Sequence, residues 1–342
     1  MSRIGVAVLG ATGMVGQHML RMLEDHPWLQ LRAVCASDRS VGQLYGDAAP
    51  WRIEGEPPAE LAKMVVRGCN PEDLPSGVKV VLSGLPTDVA RRVEPAMRAA
   101  GLAVVSNAGA FRADPDVPLL IPEVNAHHLS LLSRQGGPGF IVTNPNCCAV
   151  PLALMLAPLH RALGVEAVCT STWQAVSGAG YPGEPSWDIL GNAHPHAGDE
   201  EEKLAFEPKK ILGDPDKLAE MLISARCVRV PVMDGHLVSA QVRTRTPASP
   251  AEVAELLQSY RPEIPELPSA SAPLFFLSDR RDRPAARFDA WRGEGMTVTV
   301  GRIEPCPVMG IKLYGLAHNV VRGAAGAALA NTELLIARGL IK

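Results

Sequence analysis

Ile4-Gly5-Val6-Ala7-Val8-Leu9-Gly10-Ala11-Thr12-Gly13-Met14-Val15-Gly16 decides the fold. The apolar run Ile4 to Leu9 has the length and composition of a strand buried on both faces. Beyond Gly16, Met19, Leu20, Met22 and Leu23 recur at helical spacing. Glycines between a strand and a helix permit a tight turn and let a pyrophosphate approach the backbone at the helix N-terminus. The spacing is G-x-x-G-x-x-G, a variant of the usual dinucleotide fingerprint, and strand before with helix after is the context that gives it meaning. Gly10, Thr12, Gly13, Met14 and Val15 are therefore candidate cofactor-binding residues.

The same alternation continues outward. Leu31 to Ala36 reads as a second strand, ending in Ser37-Asp38-Arg39-Ser40. Ser37, Arg39 and Ser40 suit the 2′-phosphate of NADP, whereas Asp38 is the residue type that takes a free ribose hydroxyl, so NADP is favoured with NAD left open. Residues 46 to 77, rich in Pro, Gly and charge, read as an irregular excursion. Val78 to Ser83 is the next strand, followed by a helix through Ala100 with Thr87 or Asp88 as its N-cap, and then the strand Leu102 to Ser106. The pattern predicts a Rossmann-type, doubly wound parallel sheet. Asn107 to Arg112 opens a loop at a strand's C-terminal end, where ligands of such sheets sit, and Arg112 is there either an anion clamp or an ordinary surface arginine.

Phe140-Ile141-Val142 leads into Thr143-Asn144-Pro145-Asn146-Cys147-Cys148, and an apolar run from Leu152 to Leu159 leads out. This reads as strand, tight turn and a helix whose first turn carries Cys147. A thiol at a helix N-terminus is pushed toward thiolate, the nucleophilic form. The competing reading is a buried cysteine packing as a small hydrophobe.

Downstream the pattern changes to a second, α+β unit with a mixed sheet. Val165 to Val176, Leu237 to Val242, Met296 to Ile303 and Ile311 to Ala317 have strand character, partly alternating. Gln174 ends one strand, and Ser177 to Gly183 follows as a flexible, glycine-rich loop. Glu200-Glu201-Glu202-Lys203 reads as a helix start, where acids are favoured. Arg229 to His236 places an arginine on a strand and a histidine just past a turn, a proton shuttle or simply a turn histidine. Asn319 to Leu340 reads as a small-residue helix returning to the first sheet.

Composition bounds the rest. With 342 residues, 47% hydrophobic and 20% charged, the chain has room for about two packed domains. A net charge of −3 makes no electrostatic case for nucleic acid or an acidic membrane. No run approaches the roughly 20 apolar residues of a membrane span, and Met1-Ser2-Arg3 runs straight into a strand, so the reading is cytoplasmic. The seven cysteines show no C-x-x-C pair, so neither a disulfide framework nor a zinc ribbon is indicated. His127-His128 and His194-Pro195-His196 read as solvated surface histidines, and no metal is expected.

Together these pieces resemble the aspartate-semialdehyde dehydrogenases, especially the archaeal and fungal branch. The likeness runs over nearly the whole chain, adding Ile121-Pro122-Glu123-Val124-Asn125, Val300-Gly301-Arg302 and His318-Asn319-Val320-Val321-Arg322-Gly323 to the motifs above. It implies an NADP-binding domain over 1–146, a catalytic and oligomerisation domain over 147–318, and a helix 319–342 packing back on the first. It implies Cys147 as the thiol that attacks the aldehyde, His236 as general acid/base, and Gln174 and Asn146 positioning the thioester and its oxyanion. By the same matching Arg229 looks like the clamp on the substrate carboxylate, and Glu200 the holder of its amino group, in a register that three glutamates leave ambiguous. Lys203 and Arg112 look like the phosphate site, and Ser177, Gly178 and Asn319 join the cofactor-binding set. The implied partners are aspartate semialdehyde and phosphate, in a homodimer or homotetramer. Two alternatives stay open: a paralogous acyl reductase such as malonyl-CoA reductase, and a non-catalytic NADP-binding protein. Cys148 stands where the family usually has Ser or Thr, Glu184 to Asp199 is more polar than usual, and Glu304 replaces a common second Arg.

Overall fold

The computed structural model of the chain describes residues 3–195 and 198–342; His196 of the histidine triplet lies outside them. Five strands form the first sheet: β1 (Ile4–Leu9), β2 (Leu29–Cys35), β3 (Val78–Ser83), β4 (Ala103–Ser106) and β5 (Phe140–Thr143). Their order is β2-β1-β3-β4-β5 and every pairing is parallel. Helices α1 (Met14–Met22) and α2 (Thr87–Ala99) are its crossovers, so this is the Rossmann-type sheet expected. The strand order reverses at β1, which puts the Gly10–Gly16 loop at the switch-point crevice. Several boundaries differ from expectation by one to three residues. β2 starts two residues earlier, because Leu29 is itself buried in the core. Thr87 and Asp88 lie inside α2 rather than capping it: Pro86 occupies the cap, and no side chain caps the helix.

The long apolar helix α3 (Ala149–Leu163) then leads into a second sheet. Its strands are β6 (Val165–Gln174), β7 (Leu222–Arg229), β8 (His236–Thr244), β9 (Phe275–Ser278), β10 (Val298–Cys306) and β11 (Gly310–Ala317). The order is β7-β6-β8-β11-β10-β9, with β6/β7 and β9/β10 parallel and the rest antiparallel. α3 is buried from Ala149 to Leu159, and its side chains share one core with Val168, Val238, Ala240, Leu313 and Val300. A helix apolar all round belongs in such a core. Helices α4 (Glu200–Leu212) and α5 (Pro250–Ser259) complete this half.

The chain ends in a π-helical turn, Val321–Ala325, continued by α6 (Gly326–Ala337). Ala325, Ala328, Leu329, Leu334 and Leu335 pack with Val6, Val8, Val80, Val105 and Val142 of the first sheet. The histidines need correcting. His128 is buried, not solvated: its Nδ1 meets Asn125 Nδ2 at 3.2 Å and its Nε2 meets the Gly213 carbonyl at 3.0 Å. His194 is half-buried and exchanges backbone hydrogen bonds of 2.8 Å with Arg229. Among the described residues no helix is long and apolar enough to cross a membrane.

Candidate active site

The site is built on the turn after β5. Asn146 Oδ1 accepts the Cys148 N–H at 2.9 Å and the Ala149 N–H at 3.4 Å, and its carbonyl accepts the Val150 N–H at 3.0 Å. Those are the bonds of an N-cap, so Cys147 stands at the first position of the α3 hydrogen-bond ladder, where N–H dipoles converge. Cys147 is half-buried and Cys148 fully buried.

One face of α4 supplies the charges. Glu200, Lys203, Glu207 and Lys210 recur at intervals of three and four and so share a face. Glu200 Oε2 accepts from Asn146 Nδ2 at 2.7 Å and Gln174 Nε2 at 3.4 Å. Glu201 instead turns to Arg226 and the Cys227 amide, and Glu202 is exposed, so Glu200 is the one of the three that faces Asn146 and Gln174. Lys203 pairs with Asp199 at 2.6 Å and Glu200 at 3.1 Å. Glu207 joins Arg112 Nη1, at 3.0 Å, to the Asn146 amide, at 2.5 Å. Burial pushes the Glu207 carboxyl up, opposed by Arg112 and that amide. Arg112 is therefore no surface residue; its other branch donates to the Asn107 carbonyl.

From the second sheet come Gln174, Arg229 and His236, all buried. Gln174 Nε2 lies 3.2 Å from Cys148 Sγ. The Ala175 peptide serves two of the candidates: its N–H donates to His236 Nδ1 at 3.0 Å, and its carbonyl accepts from Arg229 Nη1 at 3.0 Å. With Nδ1 accepting, neutral His236 carries its proton on Nε2, the nitrogen left for Cys147. Gly178 closes over both, since a Cβ there would lie 2.9 Å from the imidazole and 3.0 Å from Arg229 Nη1. The expected flexible loop is thus tightly seated at this point, in a 3-10 turn over Val176–Ala179.

The proton distribution follows. The Cys148 thiol is the largest influence holding Cys147 well below the ordinary thiol range; burial of the sulfur opposes it, and His236 and Arg229 reinforce it. Cys148 is pushed well above that range by burial first and then by Cys147. Of the two, Cys147 is the thiol favoured in its deprotonated form and Cys148 the one favoured to keep its proton. Cys147, Cys148 and His236 place their ligand atoms within 4.8 Å of one another, a spacing a soft metal ion would accept. The Ala175 N–H argues against it: metal on Nε2 would leave Nδ1 protonated and facing another donor.

On the cofactor side, α1 starts from Gly13 with no side-chain cap, leaving its N-terminal amides to a ligand. Ser37 and Arg39 are exposed at the end of β2, and the Ser40 amide closes their turn on the Ser37 carbonyl at 2.8 Å. A cleft of about 590 Å³ lies between Met14 and the loop of Ser177, Gly180, Tyr181, Gly183 and Glu184. Asn319 borders it indirectly, donating to Ser177 Oγ at 2.8 Å and accepting from the Gly235 amide at 2.8 Å. Glu184, one of the departures, has Oε1 4.0 Å from Arg229 Nε. Thr12 and Val15 are half-buried and Gly10 takes φ +72° at the turn. The sequence reading missed Glu207, Lys210 and the Ala175 peptide. The first two were signalled by their spacing from Glu200 and Lys203, while a backbone group carries no sequence signal.

A nucleotide loop on a parallel sheet, facing a polarised thiol beside imidazole and guanidinium, defines a class of α/β oxidoreductases that use a cysteine. Residues 5–132 match the semialdehyde dehydrogenase NAD-binding domain family, and 156–322 the semialdehyde dehydrogenase dimerisation domain family. The chain is 43% identical to an aspartate-semialdehyde dehydrogenase of Archaeoglobus fulgidus, across 99% of this chain and 100% of that one. It is 42% identical to that of Cryptococcus neoformans, across 99% of each. A crystal structure of the Candida albicans enzyme with NADP superposes with a TM-score of 0.90 at 38% identity, covering 98% of this chain and 99% of that one. The chain belongs to the aspartate-semialdehyde dehydrogenase family.

Proposed function

We propose that this protein is an NADP-dependent, phosphorylating dehydrogenase that interconverts L-aspartate 4-semialdehyde and L-4-aspartyl phosphate through a thioester on Cys147. The observation that carries the reading is the Asn146-capped Cys147, set beside Cys148, His236 and Arg229. The Cys147 thiolate adds to the aldehyde carbon, and His236 Nε2–H protonates the new oxyanion. Bound NADP, on the Gly10 to Gly16 loop with Ser37, Arg39, Ser40, Ser177, Gly178 and Asn319 around it, supplies the hydride acceptor. His236 takes the hydroxyl proton back as the thiohemiacetal becomes a thioester. Phosphate, drawn by Lys203 and Arg112, attacks the acyl carbon and the thiolate leaves. Arg229 takes the substrate carboxylate and Glu200 its ammonium, the second a charge that an acyl chain without an amino group would not present. Gln174 and Asn146 hold the acyl oxygen in place.

In this reading 1–146 binds the cofactor, 147–318 carries catalysis and the contact between copies, and 319–342 returns to the first domain. The protein works in the cytoplasm as a dimer or tetramer, in the pathway to lysine, threonine and methionine. The test is phosphate-dependent NADPH formation from aspartate semialdehyde, run with NADP and NAD side by side. Cys147→Ala is expected to abolish it, and retained turnover in that variant would sink the mechanism.

A further inference from the structure

Glu123 and Arg322 belong to two motifs that the chemistry above leaves unused, and the fold joins them. Arg322 Nη1 donates to Glu123 Oε1 at 2.8 Å, with the two side chains 3% and 5% exposed. Arg322 lies in the π-helical turn Val321–Ala325. There the Gly323 amide reaches the His318 carbonyl at 3.1 Å and the Ala325 amide the Val320 carbonyl at 2.8 Å, each five residues back. A turn of this kind carries one residue more than an α-turn and thrusts its backbone outward. Here the backbone meets the nucleophile: a Cβ on Gly323 would lie 2.7 Å from Cys147 Cβ and 2.9 Å from its Cα.

The contacts close into a ring. Asn144 Nδ2, three residues before Cys147, donates to the Ala324 carbonyl at 3.2 Å, and Asn331 Nδ2 holds Asn144 Oδ1 at 2.6 Å. On the far side the segment before Glu123 is bonded to β5, Leu120 N–H to the Thr143 carbonyl and Thr143 N–H to that of Pro118, both at 2.9 Å. The path from Glu123 through β5 to Cys147, on to Gly323 and back through Arg322 is continuous. A buried ion pair is a weak source of net stability, but it specifies geometry when both partners are rigidly held.

We propose that Glu123 and Arg322 are a positioning pair for the nucleophile: their ion pair holds the π-helical turn so that Gly323 backs Cys147 and keeps its sulfur against His236. The inference rests on reading Cys147 as the nucleophile. Reaching neither substrate nor cofactor, the pair acts through Gly323.

The test compares Glu123→Gln, Glu123→Gln/Arg322→Gln and Gly323→Ala with wild type in the full-length protein. It measures kcat, KM, NADP affinity, melting temperature and the pH dependence of Cys147 alkylation by iodoacetamide. A displaced sulfur is expected to lower kcat by about tenfold or more, and to raise the alkylation midpoint, with NADP affinity unchanged. Gly323→Ala keeps the ion pair and should show the same signature. Folded variants with wild-type kcat and alkylation profile overturn the proposal, as does a lowered melting temperature with neither moved. Should Glu123→Gln fail to fold because Arg322 is left buried and unpaired, the paired and Gly323→Ala variants decide by the same readouts. Activity in Cys147→Ala would instead refute the functional reading.

Discussion

At the scale of single residues, the unexpected group is Cys148. A thiol of ordinary reactivity would sit near its solution value; here burial and Cys147 push Cys148 up, and its proton holds Cys147 down. The thiolate is the deprotonated form, so a lowered Cys147 stays reactive at a pH where ordinary thiols are protonated. Three other cysteines go the opposite way: burial is the main cause that pushes Cys35 up to about 12, and Cys69 and Cys227 up to about 11. Iodoacetamide at pH 8 is therefore expected to label Cys147 and leave Cys35, Cys69 and Cys227 unlabelled by mass spectrometry. Cys148→Ala removes the proton donor and should shift the alkylation midpoint of Cys147 upward. Cys148→Ser, whose hydroxyl donates more strongly, should not. Equal midpoints in wild type and Cys148→Ala would show that the neighbour contributes nothing. The helix-start position of Cys147 was legible in the sequence because turn chemistry is local; which of two adjacent thiols is favoured to keep its proton depends on burial and on His236, Arg229 and Glu200, brought from distant parts of the chain.

At the scale of elements, the nucleotide loop divides its glycines by task. A Cβ on Gly16 would lie 2.3 Å from the Gly10 carbonyl oxygen and 2.8 Å from Ala11 Cα, whereas one on Gly13 meets only the Gly10 oxygen, at 3.4 Å. Gly16 is thus required for α1 to pack on β1, and Gly13 leaves space for a phosphate to reach the backbone. Gly13→Ala is expected to keep the wild-type melting temperature and weaken NADP binding, read by fluorescence titration. Gly16→Ala should lose stability by about 1–3 kcal/mol, the usual cost of overpacking. A Gly13→Ala protein with unaltered NADP affinity would place the cofactor elsewhere. The strands of the first sheet were readable because burial on both faces makes them continuous apolar runs. β9, four residues at a sheet edge, gave no period to read. The α4 face was half-read, its start at Glu200 and Lys203 standing out as charge while Glu207 and Lys210 lay hidden among lysines and prolines.

At the scale of the whole molecule, buried histidines link the two halves and set the acid limit of the fold. His128, beside Asn125 in the first half, reaches the Gly213 carbonyl just after α4 in the second. Burial is the main cause that pushes it from 6.5 down to about 4, opposed by that carbonyl. The folded form therefore holds His128 neutral where the unfolded chain would bind a proton. Its contribution to stability is fully present above pH 6.5 and is lost as pH falls through the window from 6.5 to about 4. A shift of that size corresponds to about 3 kcal/mol at most. His318, packed on Trp291 and His18, is likewise pushed down to about 4 by burial and adds to the same window. The melting temperature is expected to fall steeply between pH 6.5 and 4 in calorimetry at constant ionic strength. His128→Gln cannot titrate there but retains an amide donor for the Gly213 carbonyl. That variant should start from a lower melting temperature at pH 7.5 and fall with a shallower slope, His318, His18 and His160, all pushed down by burial, contributing to what remains. An unchanged slope would mean that His128 already bears its proton in the folded protein, and the junction it makes between the two halves would then have to be held by charge rather than by a neutral hydrogen bond.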